Sequence, residues 1–311
     1  MEQWDLIIIG AGSAGLSAGL YGARSGLRTL ILEKHIPGGA TIESPLIENY
    51  PGFIGVSGQE LIDKMVEHAT KFGAKINQLE PATMLDLRGE KKRVKTAKAE
   101  YEASAAIITT GCHHRELGVP GEKEYSGKGV SYCALCDGAF FKGKKVVVVG
   151  GGNNAATSAL ILAHLTSNVK LIHRKEQLRA EEIILEDLRK AKVEFLWNTE
   201  VKEIKGNKTV KSVTVVNNKT GERKEIEADG VFVQVGEIPN SDFAKNAGVQ
   251  TDDYGYIVVD SQQRTSISGV YAAGDVTNNS IKQIGTAVGQ AIVAAVAAFG
   301  YIRRPYYYKE R

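Results

Sequence analysis

Twice along this chain a run of aliphatic residues breaks into a glycine turn and then into small residues. The first turn is Gly10-Ala11-Gly12-Ser13-Ala14-Gly15 and the second is Gly150-Gly151-Gly152-Asn153-Asn154-Ala155. Few folds are open to a strand followed by G-x-G-x-x-G or G-x-G-x-x-A and then a helix. The glycines permit a tight turn, and the turn brings the amides of a helix N-terminus to a pyrophosphate. Two such turns predict two doubly wound parallel sheets, and 311 residues suffice for both to bury a core.

The segments around the turns repeat one plan. In the first half we read strands over 5–9 and 27–32, helices over 14–25 and 58–72, and an alternating polar meander over 84–101. A strand over 105–109 then ends at Thr110-Gly111. The second half repeats this with strands over 145–149 and 169–172, helices over 155–165 and 181–191, a meander over 199–227, and a strand over 231–235 ending at Gly236. After Asn240 the chain passes through 256–259 and 269–273 to a small-residue helix over 286–298, with no glycine fingerprint of its own. That stretch is expected to return to the first sheet. The fold class is therefore α/β: two Rossmann-like doubly wound domains with small antiparallel meanders, the second inserted in the first. The expected boundaries are 1–115 with 245–311, and 116–244.

What each turn binds is read from the residue at the end of the following strand. Glu33 stands 23 residues after Gly10, where a carboxylate accepts both hydroxyls of a ribose. The same count from Gly150 reaches His173, followed by Arg174-Lys175 and then Arg179. A carboxylate there would repel a 2′-phosphate, whereas a guanidinium clamps one with two hydrogen bonds. The first site is expected to take an unphosphorylated ribose and the second NADP. The alternatives are an ordinary glycine turn and a solvated basic turn.

Between the turns lies Cys133-Ala134-Leu135-Cys136. Three readings are open: a zinc half-site completed by Cys112-His113-His114, inert buried cysteines, or a redox disulfide whose spacing suits the bond and lowers the attacking thiol's pKa. Asp137 follows directly, placed either to pass a proton to a departing thiolate or simply to start a helix. Three cysteines suggest a reducing compartment rather than a secreted scaffold. The formal charge of +3, from 39 basic and 36 acidic residues, argues against nucleic acid or an anionic membrane as partner. No basic leader precedes the first strand, and the apolar stretch 291–299 is short of the roughly 20 residues of a membrane helix. The expected location is cytoplasmic. The tail Arg303-Arg304-Pro305-Tyr306-Tyr307-Tyr308 is basic and aromatic, read as a loosely packed terminus or a docking segment.

Taken together, the residues resemble the low-molecular-weight thioredoxin reductase family over essentially the whole chain. The resemblance rests on both glycine turns, Glu48-Asn49-Tyr50-Pro51-Gly52-Phe53, Thr110-Gly111, and Ser131-Tyr132-Cys133-Ala134-Leu135-Cys136-Asp137-Gly138. It rests also on His173-Arg174-Lys175 with Arg179, and on Gly269-Val270-Tyr271-Ala272-Ala273-Gly274-Asp275-Val276. It implies an enzyme that uses FAD and NADPH to reduce thioredoxin, acts as a homodimer, and needs no metal. FAD would be held by Gly10, Gly12, Ser13, Ala14, Gly15, Glu33, Gly38-Gly39-Ala40 and Asn49. Thr110, Gly111, Gly274, Asp275, Gln283, Ile284, Thr286 and Ala287 would complete that site. NADPH would meet Gly150, Gly152, Asn153, Asn154, Ala155, His173, Arg174, Lys175, Arg179 and Gly236. The resemblance makes Cys136 the thiol beside the flavin and Cys133 the thiol that attacks thioredoxin, while Asp137 keeps the two readings its position gives it. It also implies rotation of the inserted domain, with hinges near 115–118 and 243–246.

The chain departs from the family's usual pattern at Ala40, at Asn154, at Thr157-Ser158 in place of an acidic pair, and at Lys175. Lysine offers a point charge instead of a fork, which predicts a weaker hold on phosphate. Two alternatives follow. One is a flavin disulfide reductase fed by ferredoxin or a deazaflavin, or serving a glutaredoxin-like acceptor. The other is a flavin-binding redox sensor.

Overall fold

The computed structural model describes residues 1–44, 46–191 and 193–303. Of the basic, aromatic tail only Arg303 lies within the described residues. The chain divides into two compact units: Met1–His113 with the described residues from Ile238 on, and His114–Glu237.

The first unit begins with β1 (Glu2–Ile9), α1 (Ser13–Arg24), β2 (Thr29–Leu32), α2 (Gly58–Lys71) and β3 (Lys75–Asn77). It continues with β4 (Ala82–Asp86), β5 (Lys92–Thr96) and β6 (Glu100–Ile108), and β7 (Cys112–His114) leads out of it. The second unit holds β8 (Val130–Ser131), α3 (Ala134–Asp137), β9 (Val146–Gly150), α4 (Asn153–Ala163), β10 (Val169–Ile172), α5 (Glu182–Lys190) and β11 (Val193–Leu196). The strands β12 (Thr199–Gly206), β13 (Val210–Asn217), β14 (Arg223–Glu227) and β15 (Gly230–Gln234) complete it. The chain returns through β16 (Glu237–Pro239), α6 (Asp242–Asn246), β17 (Val270–Ala272) and α7 (Ile284–Arg303).

In the first sheet the order is β3-β2-β1-β6-β5-β4, with β17 also paired to β6. β6 belongs to two structures at once, and its residues say why. Glu100 to Ser104 alternate between covered and more exposed positions and carry the antiparallel pairing to β5. Ala105 to Ile108 are wholly buried and pair in parallel with β1 and β17. A continuous apolar run suits a strand covered on both faces, and alternation suits one with a wet face. Sequence reading divided this single strand into a meander and a core strand.

α7 packs Ala287, Ala291, Ala294, Ala295 and Ala298 into one core with Ala14, Leu16 and Ala18 of α1. The helix is longer than the expected 286–298, and its 20 residues are by length and composition long and apolar enough to cross a membrane. That corrects the count made from 291–299. The physical reason for the composition is the core it fills, where small side chains let two helices approach closely.

The second sheet is parallel throughout, ordered β11-β10-β9-β15-β8, and β12-β13-β14 form a separate antiparallel sheet. β7 and β16, on the two connections between units, pair with each other. The segment 243–246 lies in α6, with Phe243 and Ala244 packed in a core of the first unit.

Candidate functional site

The first glycine turn is shaped by backbone crowding. A Cβ at Gly15 would lie 1.8 Å from Gly10 O, and one at Gly10 would lie 2.5 Å from Thr109 O. Only glycine lets α1 start this close to the end of β6. Gly12 caps α1 and is bridged to Gly38, whose N–H donates to Ala11 O at 2.8 Å. Ser13 and Ala14 open the helix, both buried. The Glu33 carboxylate is buried and accepts the Ala11 N–H at 2.7 Å and the His35 N–H at 2.8 Å. Each oxygen keeps acceptor capacity for a ribose hydroxyl.

The returning segment brings further expected residues to the same unit. A Cβ at Gly274 would lie 3.1 Å from the Cβ of Ala14 and 3.6 Å from that of Ala287. The first turns of α1 and α7 therefore both face Gly274, and their amide ends bring positive dipole character to one neighbourhood. Gly274 N–H donates to Gln290 Oε1 at 2.7 Å, and Asp275 follows. Asn49 Nδ2 donates to Gln283 Oε1 at 3.1 Å, joining positions 234 apart in sequence. Thr286 Oγ1 accepts the Gln283 N–H at 3.1 Å, two residues inside a helix that begins at Ile284. Thr110 and Gly111 are pinned by Asn240, which donates to Thr110 O at 2.9 Å through its amide and to Gly111 O at 3.0 Å through its backbone. Gly39 and Ala40 begin a 3-10 turn and are exposed. This cradle of close-packed glycines, one buried carboxylate and two helix starts fits an adenine dinucleotide such as FAD.

The second turn repeats the steric logic. A Cβ at Gly150 would lie 2.3 Å from Gln234 O and 2.7 Å from the Cβ of Ala155, so the turn sits tightly against β15. Gly152 caps α4 with nothing close to it, leaving its face open. Arg174, Lys175 and Arg179 are exposed. Arg179 N–H donates to Gly151 O at 2.7 Å, while Asn198 N–H and the Asn218 amide hold the carbonyls of Lys175 and Arg174. These cations suit a 2′-phosphate. Asn153 is held by Glu181, amide to carboxylate and backbone to amide, both at 2.9 Å. Asn154 is exposed, and Gly236 accepts the Arg115 N–H at 2.9 Å beyond β15.

His173 departs from its basic neighbours. Its ring is buried, and a Cβ on Gly151 would lie 2.0 Å from it. The ring lies under the glycine turn, edge-on to Trp197 at 6.5 Å. Burial holds its pKa below the ordinary histidine value, with Arg174 and Arg179 adding to the effect.

Cys133 and Cys136 are joined, with Cα atoms 5.3 Å apart. Cys133 caps α3, and the Cys136 N–H lies 3.1 Å from Cys133 Sγ. Cys136 is exposed and Cys133 half-buried. Asp137 Oδ2 accepts the Ser131 hydroxyl at 2.6 Å. Tyr132 donates to buried Glu122 at 3.0 Å, and its carbonyl accepts the Gln234 amide at 2.7 Å. Two of the three residues that a zinc site would need are engaged elsewhere: His113 Nδ1 is 2.9 Å from Asn240 Oδ1, and the His114 ring stacks on Tyr132 at 4.9 Å.

A family model described as pyridine nucleotide-disulphide oxidoreductase matches residues 4–291. The chain belongs to that family. This oxidoreductase is similar to the thioredoxin reductase of Bacillus subtilis (strain 168), 45% identical over 301 residues covering 96% of this chain and 95% of that one. It is 42% identical to the thioredoxin reductase of Treponema pallidum (strain Nichols) over 302 residues, 96% of this chain and 97% of the other. Among solved structures, the thioredoxin reductase of Streptococcus pyogenes MGAS5005 aligns with a TM-score of 0.91 at 42% identity, covering 97% of this chain and 99% of that one. Sequence reading of this oxidoreductase missed Asn240, Gln234, Gln290, Glu122 and the role of Ser131. None sits at a fixed spacing from a glycine turn, and only Ser131 lies within a recognisable motif.

Proposed function

We propose that this chain is a thioredoxin-disulfide reductase that passes electrons from NADPH through FAD to the Cys133–Cys136 disulfide, and from the dithiol to thioredoxin. The observation that carries the reading is the disulfide itself. It stands at the start of the short helix α3, partly exposed and with a carboxylate beside it, in a chain whose two glycine turns both have the cradle geometry of dinucleotide sites. FAD, when bound, supplies two-electron exchange between a nicotinamide and a dithiol.

The chain's own residues perform the rest. The Cys133 thiolate attacks one sulfur of the thioredoxin disulfide, forming a mixed disulfide and releasing a thioredoxin thiolate, which Asp137 protonates. The Cys136 N–H beside Cys133 Sγ favours the thiolate form. Cys136 then attacks Cys133 Sγ, the internal disulfide forms again, and thioredoxin leaves as a dithiol. Cys136 is the sulfur assigned to the flavin. Glu33 receives the ribose of FAD, and Arg174, Lys175 and Arg179 receive the 2′-phosphate of NADPH.

A second reading, with reduced ferredoxin or a deazaflavin as donor, draws on Asn153 and Glu181. Their pairing sets a carboxylate at the first turn of α4, where a pyrophosphate needs positive charge. Anaerobic mixing of the yellow holoenzyme with NADPH separates the two. Bleaching of the flavin within the turnover time supports the first reading. An unchanged spectrum at millimolar NADPH, in protein whose dithionite-reduced form still reduces thioredoxin, supports the second. The active form is read as a cytoplasmic homodimer, and sedimentation of holoenzyme at twice the chain mass tests the assembly.

A further inference from the structure

An acid–base carboxylate works only if it is held where the proton must go. Asp137 ends a helix of four residues, too short to hold a side chain by itself. What holds it is Ser131, buried on the edge strand β8, whose backbone lies in register with Phe232 of the neighbouring strand β15. The Ser131 hydroxyl has one proton and two neighbouring acceptors, Asp137 Oδ2 at 2.6 Å and Cys133 O at 3.3 Å. The shorter, charge-assisted bond takes the proton. The same oxygen accepts the Cys133 N–H at 3.1 Å. The result is a directed chain, Cys133 N–H to Ser131 O–H to Asp137 Oδ2, in which each bond polarises the next.

We propose that Ser131 is the positioning residue of the dithiol site: it fixes the Asp137 carboxylate through Oδ2 and leaves Oδ1 to carry the proton exchanged with thioredoxin's departing sulfur. The hydroxyl ties the proton carrier to the backbone of the attacking cysteine, so carboxylate and sulfur keep one geometry as the disulfide opens and closes. The inference rests on the acid–base reading of Asp137.

The test is a cycle of Ser131→Ala, Asp137→Asn and the double variant in holoenzyme. Thioredoxin turnover is measured at steady state, and flavin reduction by NADPH is measured separately by rapid mixing. Ser131→Ala is expected to lower kcat roughly 10- to 100-fold, the range set by a hydrogen bond to a charged group. KM for thioredoxin and the rate of flavin reduction should stay within about twofold. Asp137→Asn is expected to lower kcat by about 10²–10⁴. Once Asp137 is Asn, adding Ser131→Ala should cost less than about threefold more. Ser131→Thr, which keeps the hydroxyl, should recover most of the loss.

Full multiplication of the two losses in the double variant would overturn the inference, because Ser131 would then act without Asp137. So would a threonine variant as slow as alanine but with unchanged flavin reduction. If Asp137→Asn leaves turnover intact, the acid–base reading has failed first. If Asp137→Asn is slow and Ser131→Ala is not, only the positioning role has failed. Should the alanine variant lose its bound flavin or its cooperative unfolding, the threonine variant alone decides, by a kcat above or below one-third of the unmodified value.

Discussion

Glu33 and His173 stand at matching distances from their glycine turns, and each reaches the second residue of its turn. Glu33 does so as an acceptor, taking the Ala11 N–H. His173 does so as a filler, its ring occupying the space that a side chain on Gly151 would need. Sequence reading placed His173 among the phosphate-binding cations. Whether a ring lies beside a turn or beneath it depends on neighbours from distant segments, here Gly151 and Trp197, which no spacing rule encodes. The buried imidazole has a measurable consequence. Its pKa is lower folded than unfolded, so below its ordinary value of 6.5 the unfolded chain binds more protons. The stability it contributes is fully present above pH 6.5 and is lost as pH falls through the native value. His173→Gln should flatten the decline of Tm below about pH 6.5, read as the difference between two Tm-versus-pH curves; parallel curves would place the titration elsewhere. For the cysteines, Cys133→Ser should leave a Cys136 thiolate beside reduced-and-reoxidised flavin with a long-wavelength absorption band. Cys136→Ser should instead trap thioredoxin on Cys133 as a mixed disulfide, and exchange of these two behaviours would reverse the assignment. Arg174→Ala should raise KM for NADPH roughly 10- to 100-fold, the worth of a charge-assisted hydrogen bond. KM for NADH should hardly change, since its 2′-hydroxyl asks for no guanidinium.

At the scale of elements, the strands and helices beside the glycine turns were legible because aliphatic runs and small-residue helices leave strong local patterns. β1, α1, β9, β10 and α5 fall within a few residues of where they were expected. β3, β8 and β11, of two to four residues, were not seen. So short a strand has too few positions to show a period, and it exists because a sheet edge offers it partners. β6 was legible in its parts and not as a whole, since its second half is completed by β17 from far along the chain. At the second turn, the tight approach of Gly150 to β15 predicts a clean separation of functions. Gly150→Ala should abolish NADPH-driven flavin bleaching while the protein keeps its yellow colour and its turnover with dithionite as reductant. Loss of bound flavin as well would show that the strain spreads beyond the second unit.

For the whole molecule, the decisive fact is that, among the described residues, each apolar core belongs to one unit. The clusters around α1 and α7 and around β17 use residues of the first unit, and those around α4 and around β13 use residues of the second. Cooperative unfolding follows a shared core. Calorimetry of the holoenzyme should therefore resolve two transitions, with NADP⁺ raising one and leaving the other in place; a single transition shifted as a block would contradict this. The inserted unit enters and leaves through β7 and β16, which pair with each other, so its two ends are held side by side. A module whose ends meet can be spliced into a host gene, or lifted out and replaced by a short linker, without tearing the host's fold.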